Sequence, residues 1–209
     1  MHRPRRTLIL VRHGETEGNS SIRYYGRTDI GLSDLGRAQM RAVRTELQKR
    51  FATLNSACVF SSPLIRALQS ARIIAGEHQA ITTIEEFREL DFGLFEGLTA
   101  DEIRTRYPHE YECWTNERYS AEYTFPDGDN RAAFAARVNE GFQRMLDSWE
   151  RLPGSRAVLV AHRGVIASII RRLTGDAPAV RLASVHILIE DSQWRPEALD
   201  VIDHLAKHS

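Results

Sequence analysis

A chain of 209 residues, 42% apolar and 27% charged, is long enough for one substantial domain with its own core, and no shift in composition divides it in two. Its 28 basic and 28 acidic side chains cancel, which excludes the global field of a nucleic-acid or anionic-membrane binder, so any anion site must be local. No apolar run approaches the roughly 20 residues of a membrane span or the core of a secretory signal, and two cysteines, Cys58 and Cys113, make neither a disulfide framework nor a zinc site, so a reducing, cytoplasmic setting is expected.

The basic opening MHRPRR reads as a solvated, frayed terminus. Leu8 to Val11 then form a first apolar strand that ends, abruptly, in Arg12 and His13. Ser33 is placed to cap a helix whose Leu35, Ala38, Ala42, Val43 and Leu47 keep helical spacing. ACVFSSPLIRALQSARIIAG reads as strand, cap and helix, with Ser62 as N-cap, Pro63 at the first helical position and Gly76 as the stop. Thr99 and Glu102 stand in capping-box spacing at the start of a helix that Pro108 closes. The segment from about Arg106 to Asp129, polar and aromatic, is read as a lid or side insertion of a single domain spanning 1–209. Phe134, Val138, Phe142, Met145 and Trp149 mark one face of a long helix from about Arg131 to Glu150. RAVLVAHRG repeats the opening pattern, an apolar strand ending in His162 and Arg163, before the helix VIASIIRRL. Ser184 to Glu190 is expected as the last or edge strand. Apolar strands alternating with helices predict an α/β fold around a largely parallel sheet.

In such sheets ligands gather at the carboxyl ends of the strands. Three strands here bring basic groups to that edge: Arg12 with His13, the Ser61–Ser62 strand leading into Arg66, and His162 with Arg163. Arg66 near a helix N-terminus opposes the helix dipole, and a bound anion reverses that penalty. A phosphoryl group suits several converging donors better than a carboxylate does, because each donor can meet a different oxygen. Neighbouring cations would keep His13 neutral and nucleophilic. The proton for a leaving oxygen would come from the acidic stretch FRELDFGLFEGLT, where spacing alone does not choose among Glu89, Asp91 and Glu96. The remaining histidines, His2, His78, His109, His186, His204 and His208, are scattered without ligand spacing; no P-loop or strand-linked G-x-G-x-x-G occurs, and neither metal nor cofactor is expected.

Together these pieces resemble the histidine phosphatase superfamily, also called the phosphoglycerate mutase-like family, from Leu8 to about Leu173. The resemblance implies a three-layer sandwich with a mostly parallel central sheet. RHGETEGN resembles the family signature, implying that His13 is the phosphorylated nucleophile and that Arg12 and Asn19 hold the phosphoryl group. YGRTDIGLSDLGRAQ resembles the following segment and implies Gly26 at the pocket rim. SSPLIRALQSA implies Arg66 as a second clamp, RELDFGLFEG implies Glu89 as proton donor, and LVAHRGVI implies His162 as the second catalytic histidine. Arg163 departs from the small or polar residue common there; its backbone N–H is expected to meet a phosphate oxygen while its side chain adds charge. Gly18 stands where many relatives carry tryptophan, and FPDGDN is a weakened family segment, so no catalytic role passes to Asp129 or Asn130.

The activity implied is a metal-independent phosphatase acting on a small phosphorylated metabolite. The same residues would serve a bisphosphoglycerate-dependent phosphoglycerate mutase, but the signature lacks the mutases' Ser and Trp, SSPLIRA replaces TSVLKRA, and ELDFG replaces ERHYG. A phospholigand-binding module without turnover is the third alternative, weakened because all five matched catalytic positions are filled. Length and the stretch HRGVIASIIRRLTG resemble the α-ribazole phosphatase and broad-specificity groups.

Overall fold

In the computed structural model, which describes residues 5–51, 57–118 and 120–205, one sheet gathers six strands. These are β1 (Arg6–Arg12), β2 (Cys58–Ser61), β3 (Ile81–Thr83), β4 (Arg156–Ala161), β5 (Val185–Glu190) and β6 (Trp194–Val201), in the order β3-β2-β4-β1-β5-β6. β1, β2, β3 and β4 run parallel, and β5 and β6 add an antiparallel flank beside β1. The helices are α1 (Asp34–Arg50), α2 (Ile65–Ala75), α3 (Ala100–Arg106), α4 (Pro108–Glu117), α5 (Arg131–Glu150) and α6 (Arg163–Thr174). This is the expected three-layer α/β architecture.

The central strands are apolar without alternation because both faces are covered. Leu8 and Leu10 of β1 pack into the layer formed with α5 and α6, while Ile9 and Val11 pack with α1 and α2, and all four have no exposure. The first layer also takes in Phe87, Phe95, Trp114 and Phe125, so α4 and the 85–95 stretch share one core with the sheet.

Local signals behave as their chemistry requires. Ser33 caps α1 through Gly36 N–H, Thr99 and Glu102 close a full capping box on α3, and Gly76 ends α2 with φ 86°. Three readings are corrected. Ser62 does not cap α2, which starts at Ile65 behind Leu64 with no side-chain cap, because Ser62 is still held to the sheet by its N–H to Val160 O at 3.0 Å. β5 is neither last nor at an edge, since β6 follows and covers it with polar, Pro196-containing sequence that only an edge strand tolerates. In the basic opening, Arg6 is not frayed: it begins β1, pairs with Glu190 at 2.5 Å and lies over Trp149 and Trp194. Residues 1–4 of that opening, and His2 and His208, lie outside the described residues.

Candidate active site

β2, β4 and β1 are adjacent and parallel, so their carboxyl ends meet at one sheet edge. There the backbone is fixed on both sides of His13, whose N–H donates to Ala161 O at 3.1 Å and whose carbonyl accepts from Ala183 N–H at 3.1 Å. The His13 and His162 rings lie edge to face with centroids 5.2 Å apart. His13 Nδ1 is 2.8 Å from Gly14 O, an acceptor only, so this nitrogen carries the proton and Nε2 keeps its lone pair. Burial first, then the charges of Arg66 and Arg12, push the His13 pKa well below 6.5. The ring is therefore neutral near pH 7, the form in which an imidazole is able to act as a nucleophile.

Arg66 has no exposure, and its partners among the described residues are carbonyls, not carboxylates. Its Nη1 donates to Thr28 O at 2.7 Å, and its Nη2 donates to Gly26 O at 2.7 Å and Tyr25 O at 3.2 Å. Burial lowers its pKa, against the opposing pull of Glu89, Asp29 and Glu96. Arg12 donates through Nη1 to Val180 O at 2.8 Å, and burial, aided by Arg163, brings its pKa down to about 10. His162, also without exposure, is likewise held well below 6.5 by burial and then by Arg66, His13, Arg12 and Arg137. Three buried nitrogens of this cluster, Arg12 Nε, Arg66 Nε and His162 Nδ1, have no hydrogen-bond partner among the described residues. Buried polar nitrogens are nearly always satisfied, so unpartnered ones on neighbouring side chains could be met by an acceptor that enters the site.

The three acidic candidates now separate. Glu89 is buried at the same edge, its Oε2 accepting from Gly164 N–H at 2.9 Å and its Oε1 from Leu90 N–H at 3.0 Å. A Cβ on Gly164 would come within 2.4 Å of Glu89 Oε1, so the glycine after Arg163 lets the carboxyl approach the α6 end. Asp91 instead accepts from Gly93 N–H and pairs with Arg27. Glu96 is taken up by the 26–28 loop, accepting from Gly26 N–H at 3.0 Å, Arg27 N–H at 3.1 Å and Thr28 Oγ1 at 2.6 Å, with Phe92 N–H as a further donor at 3.1 Å.

The expected set thus divides. Arg12, His13, Arg66, Glu89 and His162 come together, and Gly26 lines the loop that receives Arg66. Asn19 is exposed in a turn at φ 62°, with its backbone N–H on Thr16 O. Arg163 is exposed at the start of α6, close enough for its charge to act on Arg12 and Tyr24. Two residues gain a place that sequence reasoning did not give them. Ser62 Oγ lies 2.7 Å from His162 Nε2. Glu15, nearly buried, accepts from Thr16, Ser20 and Ser21; burial pushes its pKa up, but these donors together hold it below the ordinary value. The hydroxyl-rich run after Glu15 was its signal.

Proteins of known sequence share this framework. The chain is 29% identical over 205 residues to phosphoglycerate mutase-like protein 4 of Arabidopsis thaliana, covering 95% of this chain and 86% of that one. It is 34% identical over 176 residues to the glucosyl-3-phosphoglycerate phosphatase of Mycolicibacterium vanbaalenii, covering 81% and 75%. Among solved structures, the α-ribazole phosphatase of Shigella flexneri superposes with a TM-score of 0.78 at 25% identity, covering 93% of this chain and 96% of that one. The sequence profile of the histidine phosphatase superfamily (branch 1) matches residues 8–193, and the chain belongs to that family.

Proposed function

We propose that the protein is a metal-independent phosphomonoesterase that works through a phosphohistidine on His13. The observation that carries this reading is the set of three orphaned buried nitrogens beside a neutral His13 whose Nε2 lone pair is free. His13 Nε2 attacks phosphorus in line; the bond to the ester oxygen breaks, and Glu89 gives that oxygen its proton. Gly14 O, already bonded to Nδ1–H, steadies the cationic phosphoimidazole. Glu89, now a carboxylate, takes a proton from water as the water oxygen attacks phosphorus, and the P–N bond breaks to restore His13. Arg12, Arg66 and His162 offset the charge on the transferring oxygens, and their fixed orientation is the main source of rate in phosphoryl transfer.

Phosphatases among the relatives support hydrolysis, while the relative named as mutase-like keeps transfer back to a bound product as the second reading. The test is phosphate release from a panel of small phosphomonoesters in EDTA. Release that survives chelation is expected. Efficient interconversion of phosphoglycerates only when bisphosphoglycerate is present would replace the phosphatase by the mutase, and tight phosphate binding with neither activity would leave a binding module.

The 106–129 segment is proposed as an insertion of one domain that borders the leaving group: Trp114 of α4 stands edge-on to Tyr24 at 5.6 Å, and Tyr24 lies within the field of Arg163. Two arginines already match the charge of a phosphate dianion, so Arg163 favours esters that carry a second anion. Comparing 3-phosphoglycerate with glycerol 3-phosphate isolates this effect, since they differ by a carboxylate against a hydroxymethyl. Arg163→Gln is expected to lower the ratio of their kcat/KM values about two- to fivefold, the scale of an exposed ion pair. An unchanged ratio would remove the Arg163 side chain from substrate binding.

A further inference from the structure

We propose that Ser62 fixes the tautomer of His162, holding the imidazole with its proton on Nδ1 so that the ring presents a donor, and not a lone pair, to the transferring phosphoryl group. Ser62 and His162 both have no exposure, and Ser62 Oγ is 2.7 Å from His162 Nε2. The same hydroxyl oxygen accepts from Leu64 N–H at 3.3 Å. A hydroxyl has one proton to give and two lone pairs. Among the described residues the one acceptor that Ser62 Oγ meets is His162 Nε2, because its other contact is a donor. The hydroxyl proton therefore points at Nε2, Nε2 holds the lone pair, and a neutral ring must carry its proton on Nδ1. That nitrogen is the buried, unpartnered one.

The opposite tautomer loses on both sides. An Nε2–H directed at Ser62 Oγ would leave the hydroxyl proton without an acceptor among the described residues, and it would leave a bare Nδ1 lone pair to face phosphate oxygens. The geometry resists rearrangement. Ser62 N–H is tied to Val160 O at 3.0 Å, Ser62 O accepts from Ser61 Oγ at 2.8 Å, and His162 O accepts from Ile166 N–H at 3.0 Å. Ser62 does not touch the reacting atoms; it is a positioning residue. No proton is transferred at His162 during turnover, and Nδ1–H acts only as a hydrogen-bond donor.

The inference rests on the phosphatase reading for what Nδ1–H faces, but the tautomer belongs to the resting protein and can be read without turnover. The experiment is nitrogen NMR of histidine-labelled protein near neutral pH, with the His162 signals identified by their loss in His162→Gln. Wild type is expected to show a protonated Nδ1 and an unprotonated Nε2, Ser62→Thr to keep that pattern, and Ser62→Ala to shift the ring toward Nε2–H. Alongside, kcat on the best ester is expected to fall about 10- to 100-fold in Ser62→Ala with little change in KM, and to recover most of the way in Ser62→Thr. A wild-type ring protonated on Nε2, or on both nitrogens, overturns the proposal without any need for the variants to fold. So does a Ser62→Ala ring that keeps the wild-type signature. Failure of the wild type to hydrolyse any ester would refute the phosphatase reading alone and leave the NMR result to decide the tautomer.

Discussion

Replacing His13 by alanine is expected to lower phosphate release roughly 10^6-fold, as for loss of a nucleophile elsewhere, and to abolish an acid-labile, base-stable phosphoryl label on the protein. No neighbour can take over. His162, the other imidazole of the cluster, has Nε2 engaged by Ser62 and presents Nδ1–H in the resting state. Ser62 itself is buried behind that ring and accepts from Leu64 N–H. The arginines stay cationic and cannot attack. The fold should survive, because among the described residues the one hydrogen bond of the His13 side chain is to the adjacent Gly14 carbonyl, while its backbone keeps both sheet contacts. Radiolabelled ester, quenched in base and separated from protein-bound label, measures both outcomes. A His13→Ala protein that still releases phosphate within tenfold of wild type, or still carries base-stable label, would eliminate His13 as the phosphorylated group.

Acid is expected to unfold the protein earlier than its carboxylates alone would require. Burial first of all lowers the pKa values of His13, His162, His186 and His204, the first two further through the nearby arginines. For each ring the folded-state value lies below the value of the unfolded chain, 6.5. Above that pH the rings are neutral in both states and contribute no pH dependence. Below it the unfolded chain binds protons that the folded chain refuses, so stability falls as pH falls, until each folded-state pKa is passed. His186, brought to about 4 by burial against the opposing charge of Asp200, gives the scale: about 3 kcal/mol is lost once the pH is below 4. Its ring has work to do in the neutral form, since Nδ1 accepts from Asp200 N–H at 3.1 Å. Urea unfolding midpoints measured between pH 7.5 and 4 should decline from about pH 6.5 downward, and His186→Gln should flatten part of that decline. A midpoint that held steady until the carboxylate range would mean that these rings titrate as in a free peptide.

Much of this molecule could be read from its chain because local chemistry decided it. α5 runs from Arg131 to Glu150 as its apolar face predicts, and the Ser33 and Thr99 caps are short-range hydrogen bonds written into adjacent residues. The convergence of Arg12, Arg66 and His162 followed from three apolar runs that each end in basic or hydroxyl residues, given a parallel sheet. What stayed hidden depends on partners distant in sequence. Ser62 has the look of a cap in SSPL, and only the sheet register, with His162 one hundred positions away, gives its hydroxyl another use. β6 escaped notice because Trp194–Val201 carries Arg, Pro, Glu and Asp where a strand is usually sought by apolar alternation. Glu89, Asp91 and Glu96 share one stretch and one chemistry, and spacing could not rank them; the backbone donors that each meets do.

The 26–28 loop carries one more implication. The peptide unit that joins Gly26 to Arg27 gives its carbonyl to Arg66 and its N–H to Glu96, and the unit joining Tyr25 to Gly26 does the same. Anion and cation are thus coupled across two aligned amide dipoles without touching. Glu96 polarises those amides so that their oxygen ends face the guanidinium, which lets an arginine stand in a dry interior with its charge only partly answered. A direct ion pair would have spent that charge. Insulated by one layer of backbone, it remains available to the phosphoryl group proposed for this site, and the loop serves as the dielectric between two plates.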